Sequence, residues 1–275
     1  MKKYEYSNKA LITFFILVVA LSTVIDVLYC KGMGDYLVAF LMWVPAFSSL
    51  IANVVNCIEK NEKFSFKTFI YRNGFNFTNP LFIAMAVLIP FVYLFIPYRI
   101  YWTMYPNNYA YTGVPITMVL SDCFLYTVIC VVMGLLTAAG EEIGWRGFML
   151  PALKERFGEN KSLIVSSLIW CLWHFPLLIW GGYMEGTPLW YSLISFVLCI
   201  FPVGIICGLL RIKSNSMWPC AFLHAAHNAY DQSVFAILTR GDNRMFFVSE
   251  TGIFTIICAW TVVFLMYLKY KKDER

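Results

Sequence analysis

Seven ionisable side chains fall where a membrane-spanning chain would place only apolar ones: Glu141, Glu142, Arg146, His174, His224, His227 and Asp231. They include all 3 histidines of the protein. Ionisable groups within a bilayer are costly and mark function by default. Carboxylates and imidazoles gathered in one dry site can activate water, hold an oxyanion, ligate a metal or pass protons.

Spacing sorts these residues. Glu142 and Arg146 are four apart, so they share a helix face and can pair. Such a buried pair costs desolvation and is a poor investment in stability alone. Glu141 points about 100° away from that line and keeps no such partner, which suits a general base. His224 and Asn228 also share a face, with Ala225 and Ala226 between them. Small residues there allow close helix approach. His227 is turned about 60° from that line, where packing is one role open to it. Ser166, Trp170 and His174 fall on one face of another helix.

Depth gives a second test. At the rise of a helix, Glu141 lies about 20 Å from Lys154 and His174 about 20 Å from Lys161. His224 and Asn228 lie about 16 and 22 Å beyond Lys213. Three helices thus bring polar groups to nearly one level, and a shared polar cavity among the fourth, fifth and seventh spans is expected.

The elements that carry these residues follow from composition. Of 275 residues, 60% are hydrophobic and 13% charged, with mean hydropathy +0.67. That excludes a disordered chain and argues against a water-soluble globule. Aromatics at 18% suit rings at membrane interfaces. Apolar runs near 10–29, 36–58, 80–97, 119–150, 162–180, 188–210, 217–239 and 250–268 predict an all-α, polytopic membrane protein of about eight spans. The first run is too long for a signal-peptide core and is read as a retained span. Assigned to alternate faces, 17 Lys and Arg fall on one side and 4 on the other. The positive-inside rule then puts both termini in the cytosol. The 59–79 loop, with its Lys and Phe, reads as an interfacial segment, and residues 98–113, with five Tyr and one Trp, as an aromatic belt.

The net charge of +5 carries no basic stripe interleaved with aromatics, so nucleic acid is not expected as a partner. Nine cysteines show no Cys-x-x-Cys and sit mostly in apolar runs, where Cys packs as a small hydrophobe. The chain reads as one structural unit. Residues 118–240 are its core and carry the polar residues, 1–117 hold the first three spans with their loops, and 241–275 hold the last span and a basic cytosolic tail.

At the polar residues the chain resembles a known family, the CAAX-protease and bacteriocin-processing (Abi or Rce1-like) intramembrane endopeptidases. Its Glu-Glu-x-x-x-Arg motif is similar to Glu141, Glu142 and Arg146 here. Its Phe-x-x-x-His motif reads Trp170-Cys171-Leu172-Trp173-His174, with Trp in place of Phe. Its His-x-x-x-Asn motif matches His224 and Asn228. The stretch from Ala139 to Pro151 looks like the family's bacterial branch, which implies a bacterial cell membrane. The resemblance implies an endopeptidase acting on membrane-associated peptides or proteins within the lipid bilayer. Glu141 and His174 would activate water, His224 and Asn228 would hold the oxyanion, and Glu142 and Arg146 would support the site. Glu141, His174 and His224 are enough to supply three zinc ligands, and the same groups also suit a metal-free mechanism; both readings stand.

Other classes compete. Gly32-Met33-Gly34-Asp35 and Tyr230-Asp231 match fragments of presenilin-like aspartyl proteases, but in reverse order and near the outer interface. No Gly-x-Ser-x-Gly is present. A proton-coupled transporter would use similar intramembrane groups, though no repeat of broken helices is visible. A non-proteolytic scaffold or immunity protein would keep the fold without the chemistry.

Overall fold

The computed structural model describes the backbone of residues 6–273 and the side chains of residues 6–269. Lys2, Lys3 and Arg275 of the charge count, and the side chains of Lys271 and Lys272, lie outside the described residues. The fold is all-α. In chain order the helices are α1 (Asn8–Cys30), α2 (Tyr36–Glu59), α3 (Phe66–Arg72), α4 (Pro80–Met104) and α5 (Ile116–Glu142). A π-helical segment, Ile143–Met149, leads into α6 (Leu150–Phe157). Then come α7 (Glu159–Trp173), α8 (Phe175–Trp180), α9 (Leu189–Ser214) and α10 (Trp218–Asn228), which continues into a second π-helical segment, Ala229–Phe235. The chain closes with α11 (Arg244–Phe247) and α12 (Ile253–Asp273).

Local chemistry sets several boundaries. The Ser7 hydroxyl accepts from the Ala10 N–H at the start of α1, and the Asn79 side chain accepts from Leu81 just before Pro80 opens α4. Pro176 cannot donate the N–H that would continue α7, so the helix breaks at His174 and restarts as α8.

Six described helical stretches are long and apolar enough to cross a membrane: Asn8–Cys30, Tyr36–Glu59, Pro80–Met104, Ile116–Phe157, Glu159–Trp180 and Leu189–Ser214. The other two expected spans take different forms. The 217–239 stretch is a helix buried inside the bundle, and the apolar part of α12, Ile253–Lys269, is shorter. Exposed Leu120, Phe124, Leu125, Val132 and Met133 on α5 fit a lipid-facing surface. The core runs through the bundle from Phe14 on α1 to Ala259 on α12.

The depth reading for His224 changes with the fold. The chain does not rise as helix from Lys213: Asn215 is left-handed, and α10 begins only at Trp218. The Met217 N–H donates to the Gly74 carbonyl at 2.7 Å, so α10 starts from a buried seat beneath α3. Residues 98–104 belong to α4, so the aromatic loop is shorter than its sequence suggests. Its rings pack toward Thr239 and Phe235.

One helix contact positions the motif carboxylates. A Cβ added at Gly140 would lie 2.7 Å from the Met42 carbonyl, and one at Gly144 would collide with Pro45. The two glycines therefore let α2 lie directly against the turn that carries Glu141 and Glu142.

Candidate active site

The bundle brings Glu141, Trp170, His174, His224 and Asn228 to the lining of one cavity of about 240 Å³. Glu141 comes from the last turn of α5, His174 from the joint between α7 and α8, and His224 and Asn228 from α10. Two of the three motif-bearing helices change to π-helix, α5 directly after Glu142, with Arg146 inside the π turn, and α10 directly after Asn228. Such wide turns recur at functional sites because they re-aim side chains within a helix.

Glu142 and Arg146 form the expected i,i+4 pair, fully buried, with Arg146 Nη1 donating to Glu142 Oε1 at 2.9 Å. The same Oε1 lies 3.1 Å from His224 Nδ1, so one carboxylate fixes both the arginine and the imidazole. With Nδ1 held there, His224 Nε2 is the ring nitrogen left for the cavity. Neither Glu142 nor Arg146 lines the cavity; they support it from below.

Glu141 makes no ion pair among the described residues. Its Oε2 accepts from Trp170 Nε1 at 2.8 Å. Its other oxygen has no protein partner among the described residues. Trp170 is the hub of the site. Its ring lies 4.3 Å under the Arg146 guanidinium carbon and packs edge-on against His174 and His224, at 5.5 and 5.4 Å. Its carbonyl holds His174 Nδ1 at 2.8 Å, which turns Nε2 of that ring to the cavity. The sequence reading took Trp170 as a neutral stand-in for Phe. The indole N–H is a donor that Phe lacks, and it holds the motif carboxylate.

Three residues that sequence reasoning missed, Tyr183, Gln232 and Glu250, complete the wall together with His227, whose role it left open. His227 is not a simple packing residue: its Nδ1 lies 2.7 Å from the Tyr93 hydroxyl and its Nε2 3.0 Å from Glu250 Oε1. Glu250 also accepts from the Tyr183 hydroxyl at 2.6 Å and from Gln232 at 3.2 Å. The Tyr183 ring stacks toward His174 with centroids 6.4 Å apart. All four line the same cavity. Glu250 sits in a three-residue turn without helical period, so nothing in the sequence marked it.

Ser166 does not reach the cavity; its hydroxyl donates to the Leu163 carbonyl. Asp231 is buried and accepts from Tyr98 and Ser249, while Asp35 is exposed ahead of α2, so the two do not form an aspartyl pair. Among the described residues, no group of three or more His, Cys, Asp and Glu side chains is arranged to hold a metal ion. The candidate set Glu141, His174 and His224 shares the cavity without forming a ligand cluster. The nine cysteines are free.

With this geometry in view, the comparisons with known proteins converge. Residues 123–230 match the family described as type II CAAX prenyl endopeptidase Rce1-like. The chain carries an Rce1-like segment. All six motif residues fall inside it. A relative, CAAX prenyl protease 2 of Methanococcus maripaludis, is 29% identical over 142 residues, which cover 50% of this chain and 50% of that protein. The chain thus matches about half the length of this curated relative. The Rce1-like segment holds α5 from Cys123 on, α7, α9 and α10, whereas Glu250 and Tyr93 lie outside it.

Proposed function

We propose that this protein is an intramembrane endopeptidase that cuts membrane-associated peptides or proteins with water activated by Glu141 and His174. The observation that carries this reading is the Glu141 carboxylate: buried, without an ion pair among the described residues, fixed through one oxygen by Trp170, and sharing a cavity with His174, His224 and Asn228. A peptide carbonyl seated there meets a base and two donors at once.

The chemistry runs as follows. Water between Glu141 and His174 Nε2 gives up a proton as its oxygen attacks the scissile carbonyl carbon. The tetrahedral oxyanion is held by the Asn228 amide and by His224 as an imidazolium, whose Nδ1–H donates to Glu142 so that its Nε2–H is the donor left for the oxyanion. The C–N bond then breaks as the proton passes to the leaving amine. Arg146 offsets the charge of Glu142 and stacks on Trp170, so the donors stay aimed. Burial of these groups in low dielectric strengthens each interaction.

The seat of this reaction is a cell membrane of bacterial type, with both termini cytosolic, as the 17-to-4 split of cations supports. Peptide maturation and self-protection against bacteriocins are uses within reach of such an enzyme. The test is peptidomic. Wild type and Glu141→Gln, each in liposomes, are offered one library of membrane-associated peptides. Fragments made by wild type and missing with the variant establish proteolysis. Identical fragment sets from two folded proteins would overturn it.

A further inference from the structure

The candidate active site is open at one end of the bundle and closed at the other. Residues lining its mouth come from connectors on a single face. Tyr29 is next to the last residue of α1, and Val38 is in the first turn of α2. Gly182 and Tyr183 belong to the α8–α9 loop, and Glu250 to the short turn before α12. Gly182 and Gln232 are exposed there. No lining residue comes from the 60–79, 143–158 or 215–217 connectors on the opposite face.

That opposite face is sealed. Trp145, Phe148, Met149 and Leu153 are buried beneath the motif carboxylates. Phe14 packs on Trp145 and Phe148 at 5.8 and 5.1 Å. Arg211 Nε donates to the Arg146 carbonyl at 3.0 Å and ties α9 across the same floor.

Charge identifies the two faces. Among the described residues, leaving out the buried Arg146 and Arg211, 10 Lys and Arg belong to the sealed side and 4 to the open side. Depth agrees: a site about 20 Å from the cation-rich boundary lies about 10 Å from the other side of a core roughly 30 Å thick.

We infer that the cavity opens to the extracytoplasmic side and that its substrates are peptide segments presented from that side, such as translocated or outer-leaflet portions of membrane peptides, and not cytosolic C-termini. The substrate half rests on the peptidase reading; the direction of opening does not.

The experiment uses the full chain expressed in a bacterial host. Cys30, at the end of α1, is exposed and serves as a native probe of the open face, with Cys30→Ser as its control. Glu185→Cys in the α8–α9 loop and Lys63→Cys in the 60–79 connector, each made in the Cys30→Ser background, report the two faces independently. Spheroplasts are treated with a membrane-impermeant maleimide before and after permeabilisation. Labelling of Cys30 and Glu185→Cys before permeabilisation, and of Lys63→Cys only after it, supports the outward opening. The reverse pattern overturns it. A second arm offers one reporter peptide tethered through a single span in either orientation, with Glu141→Gln as the control. Glu141-dependent cleavage of the outward tether alone supports the substrate class, and cleavage of the inward tether overturns it. If neither tether is cut while the open face labels from outside, the peptidase reading and the substrate half fall together, and the outward opening stands.

Discussion

Two cavities in this molecule differ in size and in lining, and the smaller one gathers the ionisable groups. The larger, of about 1200 Å³, lies between α4, α5 and the second π-helical segment. Phe91, Phe95, Val119, Phe124 and Phe235 line it, and Arg99 is its one charged lining residue among the described residues. The smaller, of about 240 Å³, gathers Glu141, His174, His224, His227 and Glu250. In a soluble protein a large apolar pocket is the default ligand site. In a membrane protein, lipid-facing helices splay and leave apolar grooves that acyl chains can fill at little cost. Ionisable groups have no such cheap solution, so their convergence is the better guide to function.

That contrast can be broken. Glu141→Gln is expected to lower peptide cleavage by about 10²–10⁴-fold, the usual worth of a positioned base, with thermal stability held. Cleavage that survives would remove the distinction between the two cavities. Arg146→Ala strips the buried Glu142 of its cation. A loss of about 3–5 kcal/mol is expected, read as a lowered unfolding midpoint in detergent. Asn228→Ala should cost about 10²–10³-fold in kcat through loss of one oxyanion donor, without a change in fold.

Subtler variants sharpen the contrast. Trp170→Phe keeps the aromatic body but removes the N–H that holds Glu141. The expected loss in transition-state stabilisation is about 1–3 kcal/mol, measured as kcat/KM, with the bundle intact. If Trp170→Phe matches wild type, the ring alone suffices and the indole donor is incidental. The smallest effect belongs to the large groove. Leu120→Trp at its lipid-facing wall should leave cleavage by the reconstituted enzyme unchanged. A loss comparable to that of Asn228→Ala would show that the groove takes part in the reaction.

Much of the site was legible because its parts repeat within single helices. The four-residue spacing of Glu142 and Arg146 led directly to the pair seen at 2.9 Å. The polar residues of α5, α7 and α10 stood out against apolar runs, and the all-helical membrane fold followed from the same runs. The Gly140 and Gly144 contact with α2 was not legible, since it depends on which helix arrives at that face. The role of His227 was not legible for a related reason: a helical wheel gives its direction but not its neighbours.

The sequence by itself determined which groups are ionisable, where they fall along the helices, and how the cations divide among the connecting loops, because these are properties of composition and of a 3.6-residue period. Only the tertiary structure decided that Trp170 grips Glu141, that Glu250, His227 and Tyr183 close the same cavity, and that aromatic packing seals one end of it. Those contacts join elements as far apart in the chain as Tyr93 and Glu250. No local periodicity encodes them, because they form only when whole helix faces find their partners in the packed bundle.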